Sequence, residues 1–195
     1  MRDDTRAQTP LDFAIAMGIF LVAVTFVFTF IPSMTTPFVE GNQDRSVTAD
    51  RVAGHLTEDA LGSPDDPFVV NDSCAEVFFN ASTNDTDIPA PCGYSGDDIY
   101  ERVGVDGDRL GVNVTVEQVD TTASGNDRLR TVCVDGNGDV AHEDSAGTCD
   151  VNFTVGDEPG ERSSIVVARR IVTIPGCSFG PGVSACDVTL TVRVW

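Results

Sequence analysis

Residues Phe13 to Ile31 read FAIAMGIFLVAVTFVFTFI, 19 consecutive residues without a charge, and Thr25 and Thr29 are the only polar side chains among them. At about 1.5 Å per residue, a helix of this run reaches about 29 Å, close to the hydrocarbon thickness of a bilayer. It is apolar all round rather than along one stripe, which separates it from the helix of a soluble core. A cleaved secretory peptide has an apolar region of about 7–15 residues followed by a small-x-small site. Pro32-Ser33-Met34-Thr35 supplies no such site. The run therefore predicts a membrane-inserted helix, and the rest of the chain has to fold without it.

Asp12 is the odd residue at the helix start, because an ionisable group at the edge of a spanning helix is costly unless it reaches the interface or a partner. One account is local. Thr9 caps the helix, Pro10 suits its first turn, and Asp12 stands three residues after the cap, where an acid completes a capping box and favours the helix dipole. The same residues carry a resemblance. Arg6-Ala7-Gln8, a charged leader ending in a small residue, followed by an acid at Asp12 and the apolar run, resembles type IV pilins and the related archaeal surface-filament subunits. The resemblance implies cleavage between Ala7 and Gln8 on the cytoplasmic side, with Gln8 becoming the first residue and Asp12 the fifth. It implies that Asp12 meets the new N-terminal amine of a neighbouring subunit as the helices pack into a filament core. The implied partners are a prepilin peptidase, the pilus assembly machinery and other pilin-like subunits. This likeness covers residues 1–32. Bacterial pilins begin the mature chain with an aromatic residue and continue the helix well past the membrane, whereas Pro32, Pro37 and Gly41 predict an early break here.

Charge bears on the setting. The chain has 31 acids against 12 Arg, no Lys, 23 Asp to 8 Glu and a net charge of −19. Such a surface repels itself in dilute buffer, while molar salt shortens the screening length to about 3 Å. The balance points to a halophile, a haloarchaeon. It excludes nucleic acid as a partner, since that binding needs Lys and Arg to neutralise phosphates.

Six cysteines, Cys74, Cys92, Cys133, Cys149, Cys177 and Cys186, all follow the apolar run. An even count without CxxC or CxxH spacing favours disulfides over metal ligation, and disulfides persist in an oxidising compartment. Fifteen connectivities are open. Nearest-neighbour pairing is the expectation, with Cys133–Cys149 closing a hairpin, Cys177–Cys186 stapling the loop SFGPGVSA, and Cys74–Cys92 closing the polar stretch between them. Five of the eight Asn, namely Asn71, Asn80, Asn84, Asn113 and Asn152, begin glycosylation sequons. Cysteines and sequons together place the C-terminal part outside the cell, with the N-terminus inside. Arg2 and Arg6 agree with that topology, since neighbouring acids count little in the positive-inside rule.

The expected organisation is a leader at 1–7, a transmembrane or assembly helix at 8–32, a linker at 33–45 and an exterior domain at 46–195. In that domain Ala49, Val52, Ala53, Leu56 and Ala60 keep a three-to-four spacing until Gly62-Ser63-Pro64, which predicts one amphipathic helix. Period-two patterns follow at 109–119, 129–134, 151–155, 165–174 and 188–194, separated by Gly- and Asp-rich turns. Residues 81–98 read as a loop anchored by Cys92. The fold class is α+β, an antiparallel sheet with one packed helix behind an N-terminal pilin-like helix. Trp195 follows the last alternating strand and is expected to pack it into the sheet.

Nothing in the pattern supports catalysis or a cofactor. His55 and His142 stand in no nucleophile or metal motif, and Gly93-Tyr94-Ser95-Gly96 is not a nucleophile elbow. Asp135-Gly-Asn137-Gly-Asp139 begins like a calcium loop, but Val140 replaces the sixth-position Gly and Ala146 the twelfth-position Glu. It reads as a hairpin turn, with no metal expected. The expectation is a pilin-like cell-surface subunit of a type IV pilus-like filament with a structural or adhesive role, and the six cysteines and broad exterior domain favour a minor or initiating subunit over a bulk one. The alternative is a single-pass anchored exterior binding domain that does not polymerise. The Ala7/Gln8 site paired with Asp12 separates the two, since a plain anchor has no use for it.

Overall fold

The computed structural model describes residues 8–39, 42–62, 65–120, 128–143, 149–161, 163–177, 179 and 184–195. The chain divides into two units, Met1–Gln43 and Asp44–Trp195. In the first, α1 runs from Gln8 to Val39. Its stretch Leu11–Thr29 is long and apolar enough to cross a membrane, and Phe13, Ile19, Val22 and Phe28 are all exposed. Thr25 and Thr29 donate their hydroxyls to the carbonyls of Leu21 and Thr25, both at 2.7 Å. Both hydroxyls are thereby satisfied within the helix itself.

Three expectations about this stretch need correction. The helix does not break at Pro32 but continues through Pro37 to Val39. Each ring deprives one carbonyl of its usual donor, at Phe28 and Ser33, yet proline's fixed φ suits a helix and the path is kept. Of the expected linker, only Glu40 and Gly41 separate α1 from α2 (Asn42–His55), and those two lie outside the described residues. The helix also begins at Gln8, so Thr9 sits inside the first turn rather than at its cap.

The second unit is built on a seven-stranded antiparallel sheet. Its strands are β1 (Val112–Val119), β2 (Leu129–Asp135), β3 (Val140–His142), β4 (Cys149–Asn152), β5 (Thr154–Gly156), β6 (Val166–Pro175) and β7 (Ala185–Val194). The order is β3-β2-β1-β7-β6, with β4 beside β2 and β5 beside β1. Val112, Val114 and Val116 of β1 and Val188, Leu190, Val192 and Val194 of β7 face one continuous core. Ala49, Val52, Ala53 and Leu56 bring the α2 side into the same core, as their spacing predicts.

At Leu56 the α-helix widens into a π-helical turn, Leu56–Ala60. Leu61 N–H returns to the Leu56 carbonyl at 3.0 Å, five residues back, because the Thr57 carbonyl accepts from Phe68 N–H at 2.9 Å instead. Phe68 itself has φ +68°, a left-handed conformation that is strained for a bulky side chain. It leads into a short parallel pairing in which Val69 bridges Thr173 of β6.

The sheet is covered by more than one helix, which corrects the simpler expectation. Asn71 caps α3 (Asp72–Phe79) by accepting from Cys74 N–H at 3.2 Å. Asp98 caps α4 (Ile99–Val103), which ends on Gly104 at φ +64°. The expected strand at 151–155 is two strands, parted at Phe153. There the N–H bonds the Val132 carbonyl and the carbonyl accepts from Val116 N–H, both at 2.9 Å, so the chain changes partner from β2 to β1.

Three disulfides, Cys74–Cys92, Cys133–Cys149 and Cys177–Cys186, join neighbours in sequence, with Cα–Cα separations of 5.5, 5.8 and 6.1 Å. In chain-entropy terms, loops of this size stabilise by about 3 kcal/mol each. Of the loop between Cys177 and Cys186, residues 178 and 180–183 lie outside the described residues. Trp195 exchanges both backbone hydrogen bonds with Gly111, at 3.0 and 3.2 Å, and its indole lies where a side chain at Gly111 would stand.

Candidate functional site

Alternation along β1 sends Asn113, Thr115 and Glu117 to the face opposite the core. Register then gathers polar residues from distant parts of the chain beside them. Arg193 of β7 stands opposite Asn113, Thr191 opposite Thr115, Thr154 of β5 opposite Thr115 on the other side, and Thr131 of β2 opposite Glu117. This face would ordinarily be wet, yet Asn113, Thr115 and Thr191 are 4%, 5% and 0% exposed. Buried polar groups need partners, and the network supplies them. Arg193 Nη1 donates to Asn113 Oδ1 at 3.0 Å and to Thr115 Oγ1 at 3.1 Å. The Thr115 hydroxyl donates to Asn113 Oδ1 at 3.0 Å. Glu117 accepts from the Thr191 hydroxyl at 3.2 Å and stands 3.6 Å from Arg193 Nη2. Among the described residues, no buried side-chain nitrogen or oxygen lacks a partner.

Above this network lies a groove of about 610 Å³, rimmed by Glu143, Asn152, Thr154, Glu158 and Pro159. Its volume is in the range of small-ligand sites, about 300–1,000 Å³. Gly156 at the edge of β5 has φ +96°, and a side chain there would collide with the Val112 carbonyl, so the close approach of β5 to β1 depends on glycine. One guanidinium, three carboxylates, two amides and three hydroxyls offer fixed donors and acceptors. Among the described residues there is no nucleophile paired with a base and no cluster of metal-ligating side chains. The arrangement can hold a polar, hydrogen-bonding group. Glu117, Thr191 and Arg193 carry in the sequence only the signal of a polar residue alternating with apolar ones in β1 and β7, and Thr131, Glu143 and Glu158, which lie outside those strands, carry not even that.

The residues singled out in the sequence are placed as follows. Ala7 lies outside the described residues, as does the side chain of Gln8; Asp12 is an exposed residue of α1. Asn113 and Asn152 are the two sequon residues in the groove, the first buried and the second exposed, with Asn152 Nδ2 donating to Glu143 Oε1 at 3.3 Å. Asn71 and Asn80 flank α3, each with its side-chain oxygen accepting a backbone N–H. Asn84 is exposed before a 3-10 turn at Asp85–Asp87. His142 Nε2 is 2.7 Å from Gln118 Oε1, and its ring stacks on Phe179 at 4.5 Å.

Asp135, Asn137 and Asp139 form the hairpin turn between β2 and β3. Asp135 Oδ1 accepts from Asn137 N–H at 2.8 Å and Asp139 N–H at 3.0 Å, with Gly138 at φ +84°. Those two backbone donors hold its carboxyl below the usual carboxylate range. The aspartate serves its own turn.

Arg102, unmarked in the sequence, is 3% exposed on α4. Its guanidinium donates to the carbonyls of Gly96, Val77, Phe78, Thr83 and Asp97 and to the Thr83 hydroxyl, at 2.7–3.4 Å. It ties α3, α4 and the intervening loop together.

The chain belongs to a family of unknown function, DUF7287, whose pattern matches residues 4–195. No curated protein and no solved structure matches it.

Proposed function

We propose that this chain is a pilin-like surface subunit of a halophilic archaeon. Its leader is cut between Ala7 and Gln8, its apolar helix waits in the membrane, and its disulfide-bonded domain stands outside the cell. The observation that carries the reading is α1 itself. From Leu11 to Thr29 it shows apolar side chains on every side, and it holds one carboxylate, Asp12, near its start. A helix of this kind needs lipid or other copies of itself around it. In a packed helix core Asp12 would be an unpaired buried acid, so a neighbouring subunit's N-terminal amine is the partner its charge calls for. The three disulfides support an exterior domain. Five sequons and an acid-rich surface without lysine fit the same location.

Mass spectrometry of the mature N-terminus, on protein from its native membrane, tests this directly. A chain beginning at Gln8 is expected, and one retaining residues 1–7 would mean a plain anchor. Asp12→Ala should abolish filament assembly and leave membrane insertion intact; unchanged filaments would sink the role given to Asp12.

One observation favours a second reading. The polar groove on the sheet is of ligand-binding size, and a membrane-anchored binding domain that never polymerises would use α1 only as a tether.

A further inference from the structure

The sheet groove holds two sequon asparagines in opposite circumstances. Asn113 lies on its floor, 4% exposed, with its side-chain oxygen held by Thr115 and Arg193 and its backbone between β5 and β7. Asn152 stands on the rim, exposed, at the end of β4 just before the chain changes partner at Phe153. Thr154, the hydroxyl residue of the Asn152 sequon, also lines the groove. We propose that the groove is the seat of a glycan carried by Asn152, and that Asn113 stays unmodified on its floor.

The chemistry fits an uncharged polyhydroxylated occupant. Attachment joins Asn152 Nδ2 to the anomeric carbon of a phosphate-activated sugar donor; the C1–O bond breaks, the phosphate leaves with its electron pair, and the amide gives up one of its two protons. The remaining N–H keeps its acceptor, Glu143 Oε1. Glu143 and Glu158 accept from sugar hydroxyls, and hydrogen bonds to ionised acceptors are the stronger kind. Thr131 adds a hydroxyl and Pro159 an apolar surface for the ring's C–H face. A neutral sugar brings no charge into a chain that carries −19, whereas an anion would meet Glu117, Glu143 and Glu158. Asn113 stays bare in the folded domain, because it is only 4% exposed between β5 and β7 and its oxygen holds Arg193 and Thr115 in place.

This inference rests on the exterior placement proposed above and goes beyond it. The test uses full-length protein from its native cells. Peptide mapping by mass spectrometry should find a sugar mass on the peptide containing Asn152 and none on that containing Asn113. Hydrogen exchange at residues 113–117 and around Thr131 should then speed up in both Asn152→Gln and Thr154→Ala, which lose the sequon in different ways. A bare Asn152 overturns the proposal, and so does a sugar at Asn152 whose loss leaves exchange unchanged. Sugars on Asn71, Asn80 or Asn84 with Asn152 bare would leave the exterior placement standing and the groove without its glycan. Chemical-shift changes at the groove on adding free glucose to a chain with bare Asn152 would assign it to an external saccharide instead.

Discussion

At the centre of the sheet both faces are shut off from water, and they reach that state by opposite means. On one, Val112, Val114, Val116 and Leu190 pack against helices and each other. On the other, Asn113, Thr115 and Thr191 are equally buried, but each fully buried polar side-chain atom has a partner. Apolar burial is additive and forgiving of direction. The polar face is neither, because removing one member strands the rest. Burial alone therefore does not say what a face is made of, and the two faces should fail differently.

The largest effect is expected at Phe153, 2% exposed, stacked on Phe79 at 4.8 Å and placed where β1 and β2 part. Phe153→Ala should cost about 3–5 kcal/mol in chemical denaturation, through lost transfer energy and the cavity left behind. A cost below about 1 kcal/mol would mean the split between β4 and β5 does not depend on its ring.

Arg193→Met tests the polar face. It keeps the stem's volume but leaves Asn113, Thr115 and Glu117 short of a donor, and should cost about 1–3 kcal/mol. Adding Glu117→Gln should recover part of that loss, since the stranded charge goes with it. Strictly additive losses would show that the network is not one unit.

Tyr94 sharpens the comparison from the core side. Its ring meets Phe78 edge-on at 5.3 Å, and its hydroxyl donates to the Cys74 carbonyl at 2.7 Å. Burial pushes the phenol up to about 12, with the Arg102 guanidinium pulling slightly the other way. In the unfolded chain it ionises near 10. The stability it gives is thus complete below about 10 and fades as pH rises towards 12. Tyr94→Phe should cost about 1 kcal/mol at neutral pH and flatten that alkaline loss in pH-dependent melting. An unchanged alkaline slope in the variant would assign it to other groups.

The smallest effect should be a gain. Phe68→Gly relieves a left-handed φ at a half-exposed side chain, and should be neutral or stabilising by up to about 1 kcal/mol. A clear loss would mean the Phe68 ring contributes more than its backbone costs.

Much of the apolar face could be read from the residues. The three-to-four spacing of Ala49, Val52, Ala53 and Leu56 and the alternation in β1, β6 and β7 reflect one side chain per turn or per pleat facing the core. The short elements could not: α3 and α4 have eight and five residues and β3 three, less than a period needs to show itself. Residues 151–155 alternate as one strand, and only the tertiary pairing of Phe153 divides them. The polar face was hidden for a different reason. Asn113, Thr115 and Glu117 look like the solvent side of a strand, and Arg193 is 80 residues from Asn113. Their burial arises only when β1, β2, β5 and β7 are assembled. Proline as a helix breaker misled at Pro32 and Pro37, where an apolar helix carries both rings without stopping.

Arg102 has a consequence of its own. Five main-chain oxygens and a hydroxyl surround its guanidinium, much as a coordination shell surrounds a bound cation. Here the cation is tethered to the chain, so no chelator can extract it and no change in external salt can exchange it. Its partners are peptide oxygens and a hydroxyl rather than a carboxylate, so the clasp over α3 and α4 needs no acid to hold it. In concentrated salt this part of the domain keeps a positive centre that can be neither washed out nor replaced.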